Sequence, residues 1–175
     1  MWEYEHAIET SAAPEAIWRL WADVANWSTW NAEIEKIEIG GPFAAGTQIT
    51  MTPPGDDPVQ LRIAEAVEGK LFVDEASFDG LLLRTTHRID RIDTDRIRVV
   101  YRMEITGNAA DEAGPQIGLA VTADWPDTMA ALVELAQHEL AQHDVAPLEL
   151  AEHTVAQHHL AEHEHDLAQL DLAQR

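Results

Sequence analysis

Residues 71–105 read LFVDEASFDGLLLRTTHRIDRIDTDRIRVVYRMEI and carry the clearest strand pattern in the sequence. Apolar and polar side chains alternate along most of this stretch, as a strand with one buried face requires. Asp79-Gly80 is typical of a two-residue hairpin turn, and Asp93-Thr94-Asp95 is a second turn signal. The pattern predicts three long antiparallel strands whose arginines lie on an outward, solvated face. The predicted strands are 71–78, 81–92 and 97–105.

Four further strands are predicted upstream of this stretch. Residues 2–10 alternate between inward and acidic side chains and predict a first, half-buried strand. After it, Ser11 is placed to cap a short helix that has Pro14 in its first turn. Trp27 and Trp30 fall in a second short helix or turn. The remaining predicted strands are 34–39, 47–52 and 59–67.

The chain downstream of the stretch predicts a loop and then a long helix. Residues 107–114 are typical of a loop, and Asp124-Trp125-Pro126-Asp127 marks the start or restart of a helix. An antiparallel sheet with one apolar face must curl and cover that face, and the helix over 115–137 is the longest cover available. The sequence therefore predicts an α+β fold, in which a curved antiparallel sheet of about seven strands wraps on a long C-terminal helix.

Several short motifs follow this order of elements over residues 2–137. They are Ser11-Ala12-Ala13-Pro14-Glu15-Ala16-Ile17-Trp18, Trp21-Ala22-Asp23-Val24 with Trp27 and Trp30-Asn31, Gly41-Pro42-Phe43 with Gly46-Thr47, Thr86-His87-Arg88-Ile89, and Glu104-Ile105-Thr106-Gly107. With these motifs the chain resembles the START-like superfamily, also called SRPBCC or Bet v 1-like, and most of all its bacterial polyketide cyclase/dehydrase-type members. None of the motifs is a catalytic signature.

This resemblance implies a helix-grip fold with a deep cavity for an apolar or aromatic molecule between the sheet and the long helix. It also implies that the late strands line that cavity and that Trp27 and Trp30 lie near its mouth. Residues 1–137 would form this START-like ligand-binding domain, with 138–175 as an extension. Because the superfamily includes carriers, hormone binders and cyclases, the fold alone does not specify the function.

The composition excludes several classes of function. The net charge of −21 repels phosphate backbones and anionic lipid surfaces, so we expect no nucleic-acid partner. The absence of cysteine excludes disulfides and fits a reducing compartment, and the acidic N-terminus does not resemble a signal peptide. No apolar run approaches the roughly 20 residues of a membrane span. We therefore expect a cytoplasmic protein, as a monomer or a homodimer. Hydrolase, kinase and dinucleotide-binding motifs are absent.

Three side chains are candidates for catalysis or ligand binding inside the predicted cavity. His87 and Tyr101 share the apolar phase of the late strands, so His87 could act as an acid or base and Tyr101 could hydrogen-bond a ligand. The alternative is structural: His87 bonded to a neighbouring strand or loop, and Tyr101 a core residue whose hydroxyl reaches the surface. Of the neighbours Asp74 and Glu75 only one can face inward, where it could serve as a proton donor; otherwise it would lie at a rim or turn. His6 shares the inward phase of the first strand.

The predicted ligand-binding residues are mostly aromatic or sulfur-containing side chains. Flat indole rings suit an apolar ligand, and methionine adapts to variable shapes, although both also serve as ordinary core packing. The set comprises Trp21, Trp27, Trp30, Met51, His87, Tyr101, Met103, Trp125 and Met129.

Residues 138–175 are a His-rich, low-complexity extension with a five-residue repeat, as in Leu140-Ala141-Gln142-His143-Asp144. A period of five winds the leucines around a helix, so the repeat predicts a helix-prone segment without an apolar stripe. At helical spacing two sets of side chains could hold Zn²⁺, Ni²⁺ or Cu²⁺ adventitiously. The first set is His159, His163 and Asp166. The second set is His158, Glu162 and His165.

Three functions remain open on the sequence. The first is the binding or carriage of a small hydrophobic molecule, aromatic or polyketide-like, without a cofactor. The second is a cyclase or dehydratase that uses His87 and Tyr101 and needs neither a metal nor a nucleotide. The third is metal binding or self-association through the extension. Polar groups that converge inside the predicted cavity would favour the enzyme, and an almost wholly apolar cavity lining would favour the carrier.

Overall fold

The structure, a computed structural model, describes residues 1–138 of the chain. Its strands are β1 (Trp2–Thr10), β2 (Lys36–Ile39), β3 (Gln48–Thr52), β4 (Val59–Val67), β5 (Leu71–Phe78), β6 (Leu81–Arg91) and β7 (Ile97–Gly107). Its helices are α1 (Pro14–Ala22), a 3₁₀ helix (Val24–Thr29), α2 (Ala110–Thr122) and α3, which covers 125–138 of the described residues.

The seven strands form one antiparallel sheet in the order β1-β7-β6-β5-β4-β3-β2. Its tightest connection is Asp79-Gly80, where both residues have positive φ angles of 47° and 76°. Two successive positive φ values are the mark of a type I′ hairpin, whose twist matches that of the flanking strands. This turn sets the register of β5 on β6, with Phe78 opposite Leu81.

The predicted α+β architecture is confirmed, including the two short helices after the first strand and the break in the C-terminal helix. The inward face of the sheet and one stripe of α3 share an apolar core. Met129, Leu132, Val133 and Ala136 of that stripe are all buried, as their helical spacing predicted. Burial of each large apolar side chain contributes about 1.5–3 kcal/mol, so this stripe holds α3 on the sheet.

Two local predictions are wrong, both at the start of a helix. Ser11 does not cap α1, because Ala13 occupies the N-cap without a side-chain bond and the helix begins at Pro14. A proline at that position keeps the residue before it extended, and Ala13 accordingly has a ψ of 138°. Residues 107–114 are not all loop, since α2 already begins at Ala110. Gly107, with a φ of 124°, makes the sharp turn that lets the helix begin so early.

Helix α2 lies against the sheet through its smallest residues. Gly114 and Gly118 both face the indole of Trp2, and a Cβ atom at Gly114 would lie 2.9 Å from the Cβ of Trp2. A Cβ atom at Gly118 would overlap the indole ring itself. The two glycines therefore permit a close approach, although each weakens the helix by about 1 kcal/mol relative to alanine.

The outward face of the sheet carries ion pairs. Arg62 and Arg84 both pair with Glu75, and Arg96 and Arg98 both pair with Glu9. The pairs of Glu9 are exposed and contribute at most about 1 kcal/mol each, so they reflect the solvation of this face more than they stabilise it. The outward position predicted for the arginines of the late strands is confirmed for Arg84, Arg98 and Arg102.

Candidate functional site

One row of ring-bearing side chains crosses four adjacent strands, from β5 in the interior of the sheet to β1 at its edge. Phe72 on β5 is opposite His87 on β6, and His87 is opposite Tyr101 on β7. His6 on β1 completes the row beside Tyr101. The imidazole of His87 stacks on the ring of Phe72 with centroids 4.0 Å apart, and it meets Tyr101 edge to face at 4.3 Å. The strand register thus brings two predicted site residues, His87 and Tyr101, into contact.

Asp74 adds a hydrogen-bonded carboxylate to this row. Its Oδ2 lies 2.8 Å from Nε2 of His87, and the side chains of Asp74 and His87 are 11% and 13% exposed. An ionised carboxylate only accepts hydrogen bonds, so it favours the tautomer in which Nε2 of His87 carries the proton. In a neutral imidazole the other ring nitrogen, Nδ1, is then an acceptor.

The Nδ1 atom of His87 is buried, and none of the described residues gives it a hydrogen bond. A buried polar atom left without a partner costs about 1–3 kcal/mol, and folded proteins rarely contain one. This atom therefore makes His87 the first candidate for a binding or catalytic role. An imidazole that is oriented at one nitrogen and unpartnered at the other can bind a donor or take up a proton.

Tyr101 is buried beside this pair, and its hydroxyl oxygen accepts a hydrogen bond from Nε1 of Trp21 at 3.1 Å. Burial raises the pKa of Tyr101 far above its ordinary value of 10.0; the bond from Trp21 opposes the rise, and the charges of Asp74 and Asp124 add to it. The phenol therefore keeps its proton at physiological pH. Because Trp21 uses a lone pair of the oxygen, the hydroxyl proton can still be donated.

Aromatic rings from three other elements surround the row. Trp21 of α1 meets Phe72 edge to face at 5.3 Å, and Trp27 of the 3₁₀ helix lies 5.9 Å from Phe72. Trp125, at the start of α3, meets Tyr101 edge to face at 5.7 Å. The indole N–H of Trp27 also donates to the backbone oxygen of Trp21 at 2.9 Å. Ring pairs of this kind contribute roughly 0.5–1.5 kcal/mol beyond their burial, so they hold the row in place.

The remaining predicted ligand-binding residues lie at different distances from the row. Met103 is buried on β7, and Met129 of α3 is buried in the same core. Trp30 is buried as well, where its ring lies 6.0 Å from that of Trp27. Met51 is only half-buried on β3, which lies three strands away from β6 in the sheet. Met51 therefore stands outside the group of side chains around the central row.

Strand alternation decides between the neighbours Asp74 and Glu75. Asp74 faces inward to His87, whereas Glu75 faces outward between Arg62 and Arg84. Only 8% of Asp74 is exposed, so the carboxylate is not at a rim. The two acids thus differ in surroundings although they are adjacent in the chain.

Sequence reasoning missed Phe72 and Asp124. Phe72 had a usable signal, because counting back equally from both sides of the Asp79-Gly80 turn places it opposite His87. The carboxylate of Asp124 accepts a hydrogen bond from Oγ1 of Thr128 at 2.8 Å and acts electrostatically on Tyr101. Its only sequence signal was its place at a predicted helix start.

Within residues 1–138, no group of three or more histidine, aspartate or glutamate side chains is placed to hold a metal ion. All the predicted metal ligands lie outside the described residues, so metal binding by the extension stays a prediction. These ligands are His158, His159, Glu162, His163, His165 and Asp166. In the described part of the chain, no helix is both long enough and apolar enough to cross a lipid bilayer.

No protein-family model matches this sequence, and no curated protein matches it either. Solved structures do match its fold. Norcoclaurine synthase from Thalictrum flavum, in complex with dopamine and hydroxybenzaldehyde, is 16% identical with a TM-score of 0.65, over 78% of this chain and 87% of that one. The Zhui aromatase/cyclase from Streptomyces is 16% identical with a TM-score of 0.67, over 79% of this chain and 95% of that one. A START superfamily protein from Mycobacterium smegmatis is 14% identical with a TM-score of 0.61, over 78% and 97%.

These similarities establish the fold. The chain has the START-like, helix-grip fold that its motifs predicted, and an aromatase/cyclase is among the structures that share it. At such low identity the likeness assigns neither a ligand nor a reaction to this chain.

Proposed function

We propose that this chain binds a small hydrophobic molecule of aromatic character between the inward face of its sheet and helix α3, and carries it unchanged. The observation that carries this proposal is the buried Nδ1 of His87, which lies among aromatic rings and has no hydrogen-bond partner within residues 1–138. Ligand sites are mostly apolar, with a few polar groups that fix the orientation of the ligand. A flat ligand matches ring walls of this kind by stacking and by edge contacts.

The comparison with norcoclaurine synthase supports an aromatic ligand. That protein has the same fold and was crystallised with dopamine and hydroxybenzaldehyde, two small aromatic molecules. In this chain, the rings of Phe72, His87 and Tyr101 contact one another across three strands, and Trp21 packs against each of them. We therefore propose a planar aromatic ligand, which contacts such rings by stacking and by edge contacts.

Calorimetric titration of the full-length protein with naphthalene tests the proposal. We expect saturable binding with one molecule per chain and a negative heat-capacity change, which marks the burial of apolar surface. Mass spectrometry of the natively purified protein should also detect a small aromatic molecule. The absence of both saturable binding and a co-purified molecule would overturn the proposal.

A second candidate, an acid–base enzyme of the cyclase/dehydratase type, is favoured by the hydrogen bond between Asp74 and His87. A carboxylate that orients an imidazole makes the histidine an effective general base. Nδ1 of His87 would take a proton from an acidic C–H group of a polycarbonyl substrate. The resulting carbanion would form a C–C bond to a second carbonyl carbon, and the oxygen of that carbonyl would take the proton back from His87 to become a hydroxyl. Nδ1 of His87 would then remove the second proton of the attacking carbon and pass it to this hydroxyl, which leaves as water while a C=C bond forms. Tyr101 would donate a hydrogen bond to the carbonyl oxygen on which charge develops.

Turnover distinguishes the enzyme from the carrier. An enzyme should convert a linear polycarbonyl thioester into a cyclic product that is detectable by liquid chromatography and mass spectrometry. Its Asp74→Asn variant should be slower by a factor of about 10² to 10⁴. A wild-type protein that forms product no faster than buffer would eliminate the enzyme and leave the carrier.

A further inference from the structure

The charges on the inward face narrow the class of ligand. Asp74 brings a carboxylate into the interior, and the group hydrogen-bonded to it is the imidazole of His87. Among the described residues, the arginines nearest in the strands pair with acids on the outward face. They are Arg62 and Arg84, which pair with Glu75, and Arg88, which pairs with Glu5 and Asp90.

An anionic ligand would therefore meet a negative charge inside the protein. The Asp74 carboxylate brings negative charge to the inward face, and Asp124 adds negative charge near Tyr101. The negative charge of the ligand and that of Asp74 would repel each other strongly in a poorly hydrated interior. A buried anionic ligand would need a cation or several hydrogen-bond donors beside it. The inward rows around His87 hold aromatic rings rather than such cations.

Nδ1 of His87, which has no partner among residues 1–138, determines which polar group the ligand needs. Because Asp74 favours the tautomer with the proton on Nε2, Nδ1 of His87 offers a lone pair. A hydroxyl group supplies the donor that this lone pair lacks, whereas a carboxylate supplies only acceptors. The hydroxyl of Tyr101 stays protonated and adds a neutral donor beside the imidazole.

Resting on the proposed function, we infer that the ligand is an uncharged aromatic molecule whose hydroxyl donates to Nδ1 of His87, and that the site rejects aromatic carboxylates of the same size. The site therefore selects phenols and aromatic alcohols over aromatic or fatty acids. The geometry of Asp74 and His87 makes this choice, independently of the net charge of the chain.

Three probes that share one ring system test this selectivity in the full-length protein at pH 7. They are 2-naphthol, 2-naphthoate and naphthalene, titrated by calorimetry. We expect 2-naphthol to bind about tenfold more tightly than naphthalene, as one satisfied buried acceptor implies. 2-Naphthoate should bind at least about tenfold more weakly than 2-naphthol.

Two neighbouring carboxylates provide a matched pair of variants. Asp74→Asn removes the inward charge and should raise the affinity for 2-naphthoate about tenfold. Glu75→Gln removes the same charge from the outward face, where it pairs with Arg62 and Arg84, and should leave that affinity unchanged. His87→Phe keeps a ring to stack on Phe72 and should lower the affinity for 2-naphthol to that for naphthalene. Circular dichroism establishes whether each variant is folded. If His87→Phe does not fold, the comparison of Asp74→Asn with Glu75→Gln still tests the selectivity.

The possible results separate the inference from the function on which it rests. If none of the three probes binds and no aromatic molecule co-purifies with the native protein, the proposed function itself is overturned. If naphthalene binds and 2-naphthoate binds as tightly as 2-naphthol, the function stands and the selectivity is overturned. If Glu75→Gln improves 2-naphthoate binding as much as Asp74→Asn does, net charge rather than the inward carboxylate is responsible, and the assignment to Asp74 fails.

Discussion

Trp21 on helix α1 and Tyr101 on β7 are joined by a hydrogen bond in which the indole N–H donates to the phenol oxygen at 3.1 Å. Both residues are buried, and 80 positions separate them in the chain. The bond ties the first helix to the last strand at the point where Tyr101 meets the imidazole of His87. It therefore links the stability of the fold to the orientation of the candidate site.

Replacing Tyr101 with phenylalanine tests how much its hydrogen bond with Trp21 stabilises the fold. Tyr101→Phe leaves the N–H of Trp21 buried without its acceptor, so we expect the free energy of unfolding to fall by about 1–3 kcal/mol. Urea unfolding followed by fluorescence measures the loss. Tyr4→Phe is the control, because the hydroxyl of Tyr4 is not the acceptor of the Trp21 bond. A Tyr101→Phe variant as stable as wild type would contradict the structural importance of the bond.

The stability of the protein should depend on alkaline pH through Tyr101. Burial raises the pKa of this residue, so the folded state holds the phenolic proton more tightly than the unfolded chain does. The contribution of the Tyr101 proton to the free energy of unfolding is fully present below pH 10.0, the ordinary pKa of tyrosine. It is lost as the pH rises from there toward the pKa of the folded state. We expect a loss of up to about 1.4 kcal/mol per pH unit from this residue.

Unfolding measured in parallel on wild type and Tyr101→Phe isolates this dependence, because the other groups titrate in both proteins. The wild type should lose stability more steeply than the variant above pH 10.0, the ordinary tyrosine value. Parallel pH profiles would show that the pKa of Tyr101 is not raised.

The close approach of α2 to the sheet can be tested at Gly118. A Cβ atom there would overlap the indole of Trp2, so Gly118→Ala should cost about 1–3 kcal/mol despite the better helix propensity of alanine. In a Trp2→Ala background the same change should stabilise the protein by up to about 1 kcal/mol. A double-mutant cycle from thermal unfolding measures the coupling. Equal effects of Gly118→Ala in both backgrounds would contradict the packing.

Metal uptake should reside in the extension. Residues 1–138 hold no group of three metal-ligating side chains, whereas seven of the nine histidines lie at or beyond 138. Changing these seven to glutamine in the full-length chain should abolish Ni²⁺ retention after dialysis, measured by elemental analysis. His6→Gln is the control and should retain the metal as wild type does. Ni²⁺ retention by the seven-fold variant would place the metal elsewhere.

The sequence was sufficient to predict much of the fold. Strands 71–78 and 81–92 were predicted almost to their observed ends, because alternation and the Asp79-Gly80 turn are local signals. The helix starts at Pro14 and Ala110 were missed, because capping and close packing on Trp2 depend on neighbours outside the segment. His87 and Tyr101 were singled out from their phase alone, whereas the contact of His87 with Phe72 required the strand register.

By itself, the sequence determined that this protein is an acidic α+β chain whose alternating strands must wrap on a C-terminal helix, since periodicity and turn chemistry act over a few residues. Tertiary packing was needed to bring Trp21 to Tyr101 and to leave one ring nitrogen of His87 without a partner among residues 1–138, while Asp74 lies 2.8 Å from the other. The bond between Trp21 and Tyr101 joins a helix and a strand that are 80 positions apart in the chain. These relationships exist only once sheet register and helix packing have been set together.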